Sequence, residues 1–80
     1  MAVSIMDNAV VDTFGQRIRL CRNVKGLSKI ACADALGISV VYLNVLESDR
    51  RGVPSIKLLR KMAVYLGVTT SQLLGETALV

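Results

Sequence analysis

Eighty residues leave room for one compact domain, and a chain of that length buries only about 60% of the surface its unfolded form exposes. With 52% apolar and 20% charged residues it is too apolar for a disordered tail. The absence of histidine removes His-dependent acid–base chemistry, Ser-His and Cys-His nucleophile pairs and the common zinc sets, while ten Lys and Arg against six Asp and Glu give a net charge of +4, which favours a polyanionic partner.

Residues 1–12 (MAVSIMDNAVVD) lack the basic start and long apolar run of a signal peptide and read as an N-terminal arm. Thr13, with Gln16 three residues on, forms a capping-box pattern that predicts a first helix running to about Lys25, with Phe14, Ile18 and Cys21 as its inner stripe. Gly26 ends it. Ser28 is placed to cap a second helix from Lys29 to Leu36, closed by Gly37, and Ser39 a third from Val40 to Glu47 or Ser48. After a polar loop, Ser55 opens a fourth helix whose apolar residues Ile56, Leu59, Met62, Ala63 and Leu66 keep helical spacing up to Gly67. Thr69–Leu74 completes the set as a short fifth, followed by an apolar tail at 76–80. Strand signals are nearly absent, so the fold class is all-α, with five helices.

Cys21 and Cys32 form no C-x-x-C pair and read as small buried hydrophobes of a reducing cytosol. No cofactor or metal is expected. The acidic residues show no convergent pairing and no phosphate-cradling loop is present, so the chain does not read as an enzyme. No apolar stretch reaches the roughly eighteen residues that a membrane span requires.

The informative stretch is Lys29–Ser48, KIACADALGISVVYLNVLES. A helix-turn-helix packs two helices at a steep angle and makes demands at fixed offsets. Ala33 supplies the small residue where the helices cross, and Gly37 the turn position that favours positive φ. Cys32, Leu36, Ile38, Leu43 and Leu46 fall where side chains must point into the crossing. In such a module the second helix enters the major groove and its N-terminal residues meet base edges. Asn44 suits adenine, while Val40, Val41 and Val45 offer apolar contact, most usefully to thymine methyl groups. The helix starts at Ser28 and Ser39 present backbone N–H donors suited to phosphate.

From FGQRIRLCRNVKGLS through the motif to LESDRRGVPS and IKLLRKMAVYLGVTTSQLL, residues 13–75 resemble the lambda-repressor-like family, the Cro/C1-type helix-turn-helix domains of phage and bacterial regulators. The resemblance implies a compact five-helix DNA-binding domain over 13–75. It further implies an ion pair between Arg22, late in the first helix, and Glu47, ending the third. Lys29 and the loop residues Arg50 and Arg51 would then contact phosphates; Ser39 at a helix start, and Arg17 and Lys57 near helix starts, read as further backbone contacts from their positions alone. Relatives usually carry polar residues where this chain has Val40, Val41 and Val45, and also where it has Leu20, Val24 and Ile30.

One module this small contacts too little DNA to be selective, which points to a homodimer on a palindromic operator, its recognition helices ~34 Å apart. Leu73, Leu74, Leu79 and Val80 are the expected dimer contacts. The leading reading is therefore a cytoplasmic, sequence-specific, Cro/C1-like transcriptional regulator of double-stranded DNA, acting as a repressor. The alternative is a protein-interaction module, an antirepressor or antitoxin that engages a second regulatory protein through the valine-rich face.

Overall fold

The computed structural model describes residues 13–79; the arm 1–12 and Val80 lie outside the described residues. Five helices follow one another: α1 Phe14–Val24, α2 Lys29–Leu36, α3 Val40–Glu47, α4 Ile56–Leu66 and α5 Thr70–Leu73. No strand occurs among the described residues, and the all-α, five-helix expectation holds.

Every helix start is capped by the hydroxyl that the sequence places there. The Thr13 hydroxyl accepts from the Gln16 amide at 3.2 Å while the Gln16 side chain accepts from the Thr13 amide at 3.1 Å, and Thr69 with Gln72 repeats the pattern. Ser28, Ser39 and Ser55 accept from Ala31, Tyr42 and Leu58. Such caps contribute roughly 0.5–2 kcal/mol each, a large share of the stability available to a domain this size. The last helix is shorter than its sequence pattern: Thr69 is the cap and Leu74 the C-terminal flank of a single turn.

The core takes Phe14, Ile18 and Cys21 from α1, Cys32, Ala33 and Leu36 from α2, and Leu43 and Leu46 from α3. Leu59, Met62, Ala63 and Leu66 of α4 and Leu73 of α5 close it. Full burial of a Leu or Ile side chain is worth about 1.5–3 kcal/mol, so this cluster supplies the main driving force. Helix α3 packs against both α1 and α2, α4 bridges α2 and α5, and α5 returns to α1. One stripe of α3 is thereby left facing outward.

Leu73 requires a correction. A one-turn helix has a single inward apolar position, and Leu73 occupies it with no exposed surface, so its side chain belongs to the chain's own core and is not open to a second subunit. Leu74 and Leu79 pack partly on that core and keep some exposed surface.

Candidate nucleic-acid interface

The axes of α2 and α3 turn through 104° across the three residues between them. That turn is made at Gly37, φ 71°, a left-handed conformation that a Cβ would penalise. The Gly37 and Ile38 amides donate to the Asp34 and Ala33 carbonyls, so the end of α2 leaves little backbone unsatisfied while the chain reverses. At the crossing Ala33 is 1% exposed, with Cys32, Leu36, Leu43 and Leu46 buried around it and Ile38 half-buried.

Two attachments hold α3 to α1. The Arg22 guanidinium grips Glu47 as a fork: Nε donates to Oε2 at 2.7 Å and a terminal nitrogen to Oε1 at 3.1 Å, while the other terminal nitrogen donates to the Leu27 carbonyl at 3.0 Å. Both side chains are buried, and the Glu47 hydrogen bond pushes the Arg22 pKa further above its ordinary value despite the opposing effect of burial. Arg19, half exposed, adds a weaker approach, its Nε 3.6 Å from Glu47 Oε1. The second attachment is Asp49. Its carboxylate accepts from the Thr13 hydroxyl at 2.6 Å and from the Gly15 amide at 2.8 Å, placing a negative charge at the start of a helix whose first turn carries no acid of its own.

Asp49 also ends α3. It stands at φ 62°, the one left-handed non-glycine among the described residues, while the Asp49 amide donates to the Leu46 carbonyl and the Arg50 amide to the Val45 carbonyl. This is the glycine-type helix stop made with an aspartate, which tolerates the conformation better than most side chains. Where α2 and α4 follow the stop with the half-buried Ile38 and Val68, α3 follows it with Arg50, which is exposed.

The outward stripe of α3 consists of Val41, 73% exposed, and Asn44, with the half-buried Val40 and Val45 beside them. Val40 packs partly against the core. Ser39 is exposed with its hydroxyl engaged in the cap, and Lys29, Arg50, Arg51 and Lys57 are all exposed. Arg17 is placed differently. It is half-buried, and its Nε donates to the Leu73 carbonyl at 2.7 Å, so its guanidinium ties α1 to the end of α5 rather than standing open for a phosphate. Its plane lies so near Gly75 that a Cβ there would come within 2.9 Å of it. Two further cations sit at helix C-termini, where the helix dipole favours them: the Lys25 ammonium beside Gly67 at the end of α4, and the Lys61 ammonium beside Gly37 at the end of α2.

Asp49 and Gly15 carry no strong local signal for their contacts with the neighbouring helix. Gly15 lies inside α1 where the helix meets the end of α3, and a Cβ built there would stand 2.5 Å from the Glu47 carbonyl oxygen and 2.6 Å from that of Leu46. Its available signal is its position, in the first turn of a helix rather than after the last one. The apolar residues Leu20, Val24 and Ile30 are exposed, Val24 and Ile30 by more than 70%. Among the described residues no group of His, Cys, Asp or Glu could hold a metal ion, and no single helix is long and apolar enough to cross a membrane.

Comparison with known proteins accounts for this geometry. A helix-turn-helix family model matches residues 18–73, more than half of the chain. The immunity repressor protein of Bacillus phage phi105 is 35% identical over 68 residues, covering 85% of this chain and 46% of the repressor. A crystal structure of SinR, described as a master regulator for biofilm formation, in complex with DNA superposes with a TM-score of 0.72 at 34% identity, over 76% of this chain and 97% of that one. A SinR–SinI complex gives 0.74 at 36% identity, over 80% of this chain and 62% of that one. The chain spans about half the length of the curated relatives it matches. It belongs to the Cro/C1-type, lambda-repressor-like helix-turn-helix family of DNA-binding transcription regulators.

Proposed function

We propose that this chain binds double-stranded DNA as the reading module of a transcriptional repressor, with α3 in the major groove. The observation that carries the reading is the steep α2–α3 unit whose outward stripe, Val41 and Asn44, is exposed, as are Lys29 at the start of α2 and Arg50 and Arg51 just after α3. Phosphate contacts from Lys29, Arg50, Arg51, Lys57 and the capped start of α3 at Ser39 would hold the register, and Val40, Val41, Asn44 and Val45 would meet base edges. Arg17 contributes by fixing α1 against α5. The module acts as a homodimer on a palindromic operator, with Leu74 and Leu79 as the described residues left to the subunit contact, and it represses by occupying a promoter in the cytoplasm. Titration of selected and random duplexes at two salt concentrations tests this. Each phosphate contact contributes about 0.9 to the slope of log K against log salt, so Arg50→Ala with Arg51→Ala lowers the slope by about 2. A salt-independent signal, or no binding below ~10⁻⁴ M, would overturn the proposal.

The exposure of Leu20, Val24, Ile30 and Val41 favours a second reading, a surface for another regulatory protein. Exposed apolar patches commonly mark partner surfaces where they are contiguous, and SinR, a relative, has a structure with SinI. The variants Val41→Asp and Val45→Asp separate the two. If they abolish activity while the arginine variants leave DNA affinity unchanged, the second reading replaces the first.

A further inference from the structure

We infer that α3 selects DNA by the 5-methyl group of pyrimidines in the major groove, with Val41 as the main specificity-determining residue and Asn44 as the hydrogen-bonding partner beside it. The inference rests on the DNA-binding reading above and deepens it.

It follows from what each side chain of residues 39–48 is already doing. Leu43 and Leu46 are in the core, and Glu47 is buried in its pair with Arg22. Tyr42 is half-buried against the core. The Ser39 hydroxyl caps the helix at the Tyr42 amide, and the Ser48 hydroxyl donates to the Val45 carbonyl at 3.1 Å. What remains outward is Val41, fully presented at 73% exposure, Asn44, and parts of Val40 and Val45. A valine can neither donate nor accept. Set against guanine N7 and O6 or the cytosine amino group, it strips water from a polar edge and returns nothing. The one apolar feature of the major-groove code is the C5 methyl of thymine. The same methyl is carried by 5-methylcytosine, so the chemistry recognised is the methyl group and its source can be either base. Charge decides for DNA as the occupant of this stripe: the net charge is +4, and Lys29 at the start of α2 and Arg50 and Arg51 just after α3 are exposed.

The test begins with a duplex selected by this chain from a random pool. Each thymine is replaced in turn by uracil, which lacks only the methyl, and each cytosine by 5-methylcytosine. At one or two positions uracil is expected to weaken binding about four-fold, the size of one buried methylene. In Val41→Ala, an exposed position whose change leaves the core intact, the uracil penalty at the same position falls below about two-fold by the same scale. Where that thymine is exchanged for cytosine, a gain on methylating the cytosine shows that 5-methylcytosine is also a source, and its absence with the uracil effect intact limits the source to thymine; both support methyl reading. If every uracil duplex binds as well as its thymine parent, with salt dependence intact, methyl reading is overturned and DNA binding stands. A uracil penalty that survives unchanged in Val41→Ala overturns the role of Val41. Failure to bind any duplex overturns both readings.

Discussion

Asp49 and Thr13 are joined by a hydrogen bond of 2.6 Å from the threonine hydroxyl to the aspartate carboxylate, and the bond connects the stop of α3 to the start of α1. Asp49 thus does two things at once: it adopts the left-handed conformation that ends α3, and its side chain supplies the charge that the first turn of α1 lacks. Asp49→Ala loses both hydrogen bonds and retains an unfavourable φ, and it is expected to cost about 1.5–3 kcal/mol in urea unfolding. Asp49→Asn, which tolerates the conformation and keeps an acceptor for the Gly15 amide, should fall between the two. An alanine variant as stable as the parent would show that the loop holds its shape without this contact.

Arg22 and Glu47 are both buried, so removing Glu47 strands the Arg22 charge, and removing Arg22 leaves Glu47 with only the longer approach of the half-exposed Arg19 at 3.6 Å. Arg22→Met or Glu47→Gln is expected to lose about 3–5 kcal/mol, a large share of the stability available to a domain of this size. Replacing both with apolar residues should be milder than either single change, because no charge is then stranded. Chemical denaturation of the three variants measures this directly, and equal losses in all three would show that the pair is not the source of the cost.

At Gly15 two rules give opposite signs. Helix propensity alone favours Gly15→Ala by about 0.8–1 kcal/mol. The added Cβ would stand 2.5 Å from the Glu47 carbonyl oxygen, backbone that cannot swing aside, so α1 must move off the end of α3. Net destabilisation of about 1–3 kcal/mol is expected, the range for overpacked contacts. A stabilised variant in thermal melting would mean that α1 can shift freely over α3.

Cys21 and Cys32 are free and buried, and burial pushes both thiols above their ordinary value of 9.0. Because the raised group holds its proton more tightly in the folded chain, its contribution to stability is full below pH 9 and declines as pH rises towards the folded values. Stability measured between pH 7 and 10 should therefore fall at the alkaline end, and less so in a Cys21→Ala, Cys32→Ala chain. Alkylation at pH 7.5 should be slow in the native protein and fast in urea.

Helix positions were legible because they depend on local chemistry. A hydroxyl before an apolar-periodic run, or a glycine after one, acts within a turn of the helix it starts or ends, so Thr13, Ser28, Ser39 and Ser55 could be assigned without knowing what lay across the core. The stop of α3 was less legible because its left-handed residue is an aspartate, whose suitability comes from contacts made with α1. For the same reason Arg17 and Lys57 looked alike near their helix starts, although one is tied to the Leu73 carbonyl and the other is exposed. Leu73 and Leu74 likewise stand side by side in the sequence, and the direction of one helical turn buried the first and left part of the second outside.

By itself, then, the sequence determined the all-α class and the five helices of the described residues, a helix-turn-helix at 29–48 and a valine-rich third helix, all consequences of capping, periodicity and composition acting over a few residues. Tertiary structure alone decided that Gly15 lets α1 touch the carbonyl end of α3, that Asp49 bridges the two, and which cations face outward. Those outcomes depend on atoms more than thirty residues apart being brought within a hydrogen bond of each other, and no local preference encodes that distance.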